Sequence, residues 1–132
     1  MNGRLTFGAD QNLAGLYFTG TQTLSGNGQA VFAGIGRNNV LLPTSGALTI
    51  GPSVTIRGGT GTVGNPTLPL INEGTVSADV PGRIIDVVGR PVTNQGTLKA
   101  DGAGTTLTVR ANPLTNNGAI QEFNGGKVLI NP

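Results

Sequence analysis

PLINEGTV from Pro69, PVTNQGTL from Pro91 and PLTNNGAI from Pro113 are one phrase written three times at a spacing of 22 residues. Each copy runs Pro, aliphatic, Ile or Thr, Asn, polar, Gly, small, aliphatic. A unit this short holds too little apolar surface to fold alone, and it becomes stable only when neighbours stack on it and bury that surface. The phrase therefore predicts one coil of a solenoid.

Outward from the phrase, each unit divides into three short strands: GTVSA, RIIDVV and PLIN in one, GTLKA, TTLTVR and PVTN in the next. Alternation of side chains along a strand assigns the faces. Val76, Ala78, Leu98, Ala100 and Ile120 are expected inside, with Ser77, Lys99 and Gln121 in solvent. In the second strand Ile85, Val87, Leu107, Val109, Val128 and Ile130 are expected inside, and Asp86, Thr108 and Leu129 outside. The third copy is one residue shorter between its strands, which sets NGG at 124–126 against the longer DGAG at 101–104.

Asn72, Asn94 and Asn116 share one register position. At a strand spacing of about 4.8 Å their amides can bond to the next rung and to turn backbone, so the column is expected to be a structural Asn ladder. A ligand site would need further converging polar groups. The corner turns are assigned to Gly74, Gly96 and Gly118, read as positions of positive φ, and to Pro69, Pro91 and Pro113, read as strand starts where no ladder N–H is needed.

Upstream, GALTIGPSVTIRGG from Gly46 keeps the same grammar with a shorter central turn and places Leu48, Ile50, Val54 and Ile56 inside. Earlier still, RLTFG, GLYFTG, TLSGNG, QAVFAG and NNVLLP read as strands. Residues 1–132 are thus read as a single all-β domain, a parallel β-solenoid of about six coils of roughly 22 residues. It is regular over 46–132 and less regular over 1–45. Phe7, Phe18 and Phe32 fall in the less regular part and are expected to fill the core, not to stack on a sugar.

Composition excludes much chemistry. Charged residues supply 11% of the chain while 23 Gly and 8 Pro punctuate Val, Leu, Ile and Thr at regular intervals, a strand-and-turn vocabulary and not a disordered one. With no Cys there is no disulfide framework or thiolate metal site, and with no His the commonest general base and metal ligand is missing. The net charge is +2, and the basic residues are scattered from Arg4 to Lys127. Nucleic acid is not an expected partner, because phosphates need a concentrated basic face and bases need exposed aromatics. No apolar stretch approaches the ~20 residues that span a bilayer, and MNGRLTFGAD lacks the apolar core of a signal peptide. No cofactor is expected.

The run LTIGPSVTIRGGTGTVG, followed by LINEGTVSAD, VTNQGTLKADGAGTTLTV and LTNNGAIQEFNGGKVLI, resembles the repeat phrasing of filamentous-haemagglutinin-like and autotransporter-type bacterial exoproteins. The likeness covers 46–132; residues 1–45 share only composition. It implies a right-handed parallel β-helix, an extracellular or cell-surface location and a structural or adhesive role. That family's secretion domain, membrane anchor and cap have no counterpart in these residues, as expected of a stretch taken from a longer array.

The candidate chemical groupings each meet a plainer explanation. Asp79 and Asp101 share a register position, near Asp86 and Glu122, and clustered carboxylates can hold Ca²⁺ or supply an acid. The third copy has Phe123 there, Asp is favoured at turns for backbone reasons, and no flanking set completes a metal cage. No catalytic or metal residue is assigned. Thr21 with Thr23, Thr60 with Thr62, and Thr105, Thr106 and Thr108 do not align into an ice-ordering plane, since Ile84 and Asp86 precede Thr106 and Thr108 and Lys127 and Leu129 follow them. Gly59, Gly61 and Gly64 in GGTGTVG have dinucleotide-loop spacing, but NPTLPLINEG cannot form the helix that must follow, so the segment reads as a turn. Lys99, Arg110 and Lys127 form either a mildly basic side for acidic glycans or edge charges that block aggregation.

Strand edges at the ends of such a stack can pair head to tail, so a homo-oligomer or filament is an expected assembly. The expected function is a non-enzymatic structural module of a secreted or cell-surface bacterial protein, a rigid rod in an adhesin or fibre, with a host surface or glycan as the partner class. The alternative is a carbohydrate-binding or carbohydrate-cleaving β-helix, which an acidic or aromatic groove across several rungs would favour.

Overall fold

Aliphatic runs of three to six residues, cut by glycines, are too short for helices and long enough for strands. The computed structural model describes residues 2–7, 15–33 and 39–131, and in them the chain forms 17 strands and no helix. The first sheet holds β1 (Gly3–Phe7), β4 (Gly28–Phe32), β7 (Val54–Gly58), β10 (Thr75–Ala78), β13 (Thr97–Asp101) and β16 (Ala119–Phe123). The second holds β2 (Gly15–Phe18), β5 (Asn39–Pro43), β8 (Gly61–Gly64), β11 (Ile84–Gly89), β14 (Thr106–Ala111) and β17 (Lys127–Asn131). The third holds β3 (Gln22–Leu24), β6 (Leu48–Ile50), β9 (Leu70–Asn72), β12 (Val92–Asn94) and β15 (Leu114–Asn116).

Each strand pairs in parallel with the strand three places later, so the sheets are the walls of a parallel β-solenoid of about five turns of roughly 22 residues. The expected six coils become five complete ones. β16 and β17 begin a sixth, and the third sheet ends one rung earlier, at β15. The early strands fall where expected, although Gly8 of RLTFG, Gly34 of QAVFAG and Asn38 of NNVLLP lie outside the described residues.

Inward residues of the three walls meet in one apolar column. Leu48, Ile50, Ile56, Leu70, Val76, Ile85, Val87, Val92, Leu98, Leu107 and Val109 are all buried, each worth roughly 1.5–3 kcal/mol of transfer free energy for its larger side chains. Lower in the stack the aromatic residues do the filling. Phe7 and Phe32 meet edge to face at 5.6 Å between ring centroids, and a side chain on Gly61 would collide with the Phe32 ring. That is why GGTGTVG is glycine-rich: it is a strand-to-strand corner and one wall of an aromatic-filled core.

Three assigned faces differ from expectation. Ser77 points outward yet is buried, because Arg57 and Lys99 flank it on adjacent rungs and their long side chains overhang a short one. Thr108, between Asp86 and Leu129, is buried in the same way. Ile130 points into the column but is 49% exposed, since no described rung lies over β17. Among the described residues no helix is long and apolar enough to cross a membrane.

Candidate functional site: the asparagine corner and a groove on the second sheet

Asn72, Asn94 and Asn116 stand in register at the ends of β9, β12 and β15. Asn72 Nδ2 donates to Asn94 Oδ1 at 2.9 Å, and Asn94 Nδ2 donates to Asn116 Oδ1 at 2.8 Å. The same amides donate to corner carbonyls: Asn72 to Gly74 and Thr97 at 3.2 Å each, Asn94 to Ala119 at 3.1 Å and Gly96 at 3.4 Å. Asn72 and Asn94 are fully buried, while Asn116 is exposed at the top of the column. The bottom ends on an apolar neighbour, Ile50, and Asn72 Oδ1 is left buried without a donor. The Nδ2 groups of Asn72 and Asn94 and the Oδ1 of Asn94 are all bonded to corner backbone or to the adjacent Asn.

The matched glycines are required for a different reason from the one the sequence suggests. Gly74, Gly96 and Gly118 do not have positive φ. What forbids a side chain is the rung beneath: a Cβ on Gly96 would press on the Gly74 carbonyl oxygen, one on Gly118 on that of Gly96, and one on Gly74 on those of Val54 and Gly51. Positive φ occurs instead at Gly58, Gly82, Gly102, Gly104 and Gly125 between the first and second sheets, at Gly20, Gly46 and Gly64 at the end of the second sheet or beyond it, and at Gly26 in the lowest corner between the third and first. Pro69, Pro91 and Pro113 immediately precede β9, β12 and β15, and their carbonyls accept from Leu48, Leu70 and Val92 N–H at 3.2, 3.0 and 3.1 Å. The Arg90–Pro91 and Asn112–Pro113 peptides are cis.

The carboxylates are dispersed. Asp79 Oδ2 accepts from Arg57 Nε at 2.8 Å, Asp101 Oδ1 from Asn124 Nδ2 at 2.8 Å, and Glu122 Oε2 from the Val128 N–H at 2.8 Å. Among the described residues no three acidic, His or Cys side chains gather as a metal site requires. Lys99 lies on the outer face of the first sheet and Arg110 and Lys127 on the second, so the three cations do not form one side. Thr106 and Thr108 pair with Ile84 and Asp86 below and with Lys127 and Leu129 above, which leaves no continuous Thr plane there. Aligned threonines occur elsewhere, in a column the sequence reading missed: Thr23, Thr49, Ile71, Thr93 and Thr115 on the third sheet. The signal was present in the repeated phrase, one position before each Asn.

A second missed feature is a groove of about 260 Å³ on the outer face of the second sheet, lined by β11, β14 and the turn residues Thr60, Gly82 and Arg83 that precede β8 and β11. Asp86 stands on its floor between Thr62 and Thr108 in the ladder. Arg83 and Ile84 line one side and Arg110 the other. Thr108 faces outward but is only 6% exposed, so the groove is sunken there. The Asp86 Oδ1 atom is buried and accepts no hydrogen bond; Arg110 Nη2 stands 3.9 Å away, an ion-pair distance beyond hydrogen-bond reach. Register alignment alone brings Asp86 and Arg110 near each other. The depression depends on the turn at 79–83, which periodicity does not specify.

No family model, curated protein or solved structure matches the chain.

Proposed function

We propose that the chain is a non-enzymatic structural module, a rigid β-solenoid rod of a secreted or cell-surface bacterial protein, of the filamentous-haemagglutinin or autotransporter-passenger kind. The observation that carries this reading is the in-register stack: three parallel sheets share one buried apolar column, so each rung is held by hydrogen bonds and by contact on both faces. Such a stack resists bending and can be lengthened without changing its cross-section. The extracellular or cell-surface setting is supported by the repeat phrasing of 46–132. Head-to-tail association into a fibre is supported by the parallel stacking itself, in which every rung presents to the next the same kind of strand edge.

Duplicating one coil, residues 91–112, tests the rod directly. Solution X-ray scattering is expected to show a length increase of about 4.8 Å per added coil at constant cross-section. A thickened or collapsed particle would overturn the rod. Sedimentation over a concentration series reads the assembly separately: linear polymers support fibre formation, and monomer throughout removes it. Incubation with neutral and acidic polysaccharides is expected to release no reducing ends; release would overturn the non-enzymatic reading.

A further inference from the structure

We propose that the groove on the second sheet binds an acidic saccharide unit, a sugar ring that carries a carboxylate. This goes beyond the rod and does not depend on it. Asp86 Oδ1 is buried and accepts no hydrogen bond, so a rearrangement of the groove on binding that brings a donor to it is favoured. Arg110, whose side chain is 62% exposed, makes no hydrogen bond to Asp86 at 3.9 Å, and its planar fork of donors matches a carboxylate. Beside them Ile84, 47% exposed, offers an apolar ledge to the C–H face of a ring. Thr108, the ladder neighbour of Asp86, lines the groove beside it.

The combination selects among ligands. An inorganic anion satisfies the guanidinium but brings no donor to the carboxylate. A neutral sugar brings donors but offers no anion to the exposed Arg110 fork, which pairs with Asp86 at 3.9 Å without a hydrogen bond. A uronate brings both on one ring, and the groove volume is of the order of a single ring, below the roughly 300–1,000 Å³ of sites for larger ligands. Because the groove crosses three rungs and is open, the ring can belong to a free sugar or to a chain lying along the stack.

The test is a ¹⁵N–¹H titration of the whole chain with a hexuronate monomer, a hexuronate trimer, the matched neutral hexose trimer and sulfate. Saturable amide shifts confined to the groove lining, at Thr60, 82–84, Asp86, Thr108 and Arg110, are expected with the hexuronates, and binding at least about tenfold weaker with the neutral trimer and sulfate. Equal affinity for monomer and trimer identifies a free sugar; tighter trimer binding identifies a glycan chain. Asp86→Asn and Arg110→Gln are each expected to weaken hexuronate binding about tenfold, and Lys99→Gln, on the first sheet, to leave it unchanged. Circular dichroism melts identify any variant that does not fold. No saturable shift, shifts elsewhere, sulfate binding as tight as hexuronate, or unchanged affinity in both folded variants would overturn the site.

Discussion

The corner that leads into the first sheet is built in two ways within one molecule. In three upper rungs it spans two residues, between Asn72 and Thr75, Asn94 and Thr97, and Asn116 and Ala119. Below them Leu24 and Ile50 occupy the Asn position, and four residues separate Leu24 from Gln29 and Ile50 from Thr55. The carbonyls of a buried corner must find donors. In the short corner the Asn amide adds a donor to those from the next rung, as Asn72 does for Gly74 beside the Thr97 N–H; in the long one the turn bonds itself, with Val54 N–H donating to Gly51 at 3.1 Å. A buried amide and two extra residues are therefore alternative solutions to one problem, and changing either alone should fail.

The largest expected effect comes from length. Removing Gln95 leaves one residue where two are needed and shifts every later strand by one position, which exchanges its inward and outward faces. We expect a loss of more than about 5 kcal/mol in urea unfolding, beyond the range of ordinary single substitutions. The corner between the first and second sheets tolerates the same operation. Between register-matched positions it holds two residues from Gly58 to Gly61, six from Ala100 to Leu107 and five from Glu122 to Val128. Removing Ala103 only converts the second length to the third, for an expected cost within about 1 kcal/mol. Equal losses for the two deletions would break the distinction between a fixed and a variable corner.

Substitution comes next. Asn94→Leu keeps bulk and apolarity, as Leu24 and Ile50 do below, but removes the amide donor to the Ala119 carbonyl, the second donor to the Gly96 carbonyl, which keeps the Ala119 N–H at 2.8 Å, and the acceptor of Asn72. A cost of about 3 kcal/mol is expected from buried groups left without partners. Asn116→Leu, at the exposed end of the same ladder, is expected to cost less than about 1 kcal/mol. Similar midpoints for the two variants would mean that burial contributes nothing to the ladder.

These contrasts show which features the sequence could carry. The strand order, the inward column and the Asn register are legible because each is a periodic demand, repeated at 22 residues or alternating at two. The need for Gly96 is periodic too, but its cause is not: sequence cannot tell a positive φ from the Gly74 carbonyl pressing on the absent Cβ. The sinking of Ser77 and Thr108 depends on the lengths of side chains one rung away, and the groove at Asp86 on a single turn. Such features occur once, so periodicity has nothing to say about them.

Converting the long corner into the short one sharpens the same point. Ile50→Asn alone gives Asn72 Oδ1 a donor but strands a second buried amide in a corner whose carbonyls are already served. Replacing Gly51–Val54 by Gln-Gly in that variant recreates the geometry of the upper rungs and extends the ladder by one. The shortened variant is expected to be about 1–2 kcal/mol more stable than Ile50→Asn, despite the lost Val54 side chain. If shortening makes matters worse, amide and turn length are not exchangeable.

The smallest effect is expected at the variable corner. Asp79 and Asp101 occupy equivalent positions there and hold different partners, Arg57 and Asn124, which indicates that no single interaction is demanded of the position. The Arg57–Asp79 pair is short at 2.8 Å, but its side chains remain 32% and 22% exposed, so water and salt screen it. Asp79→Ala should cost less than about 1 kcal/mol, and the difference from the parent should shrink further at 1 M salt, where the Debye length is about 3 Å. A salt-independent loss of 2 kcal/mol or more would instead place this corner under the same constraint as the Asn ladder. The tolerance for different lengths from Gly58 to Lys127 would then need another cause.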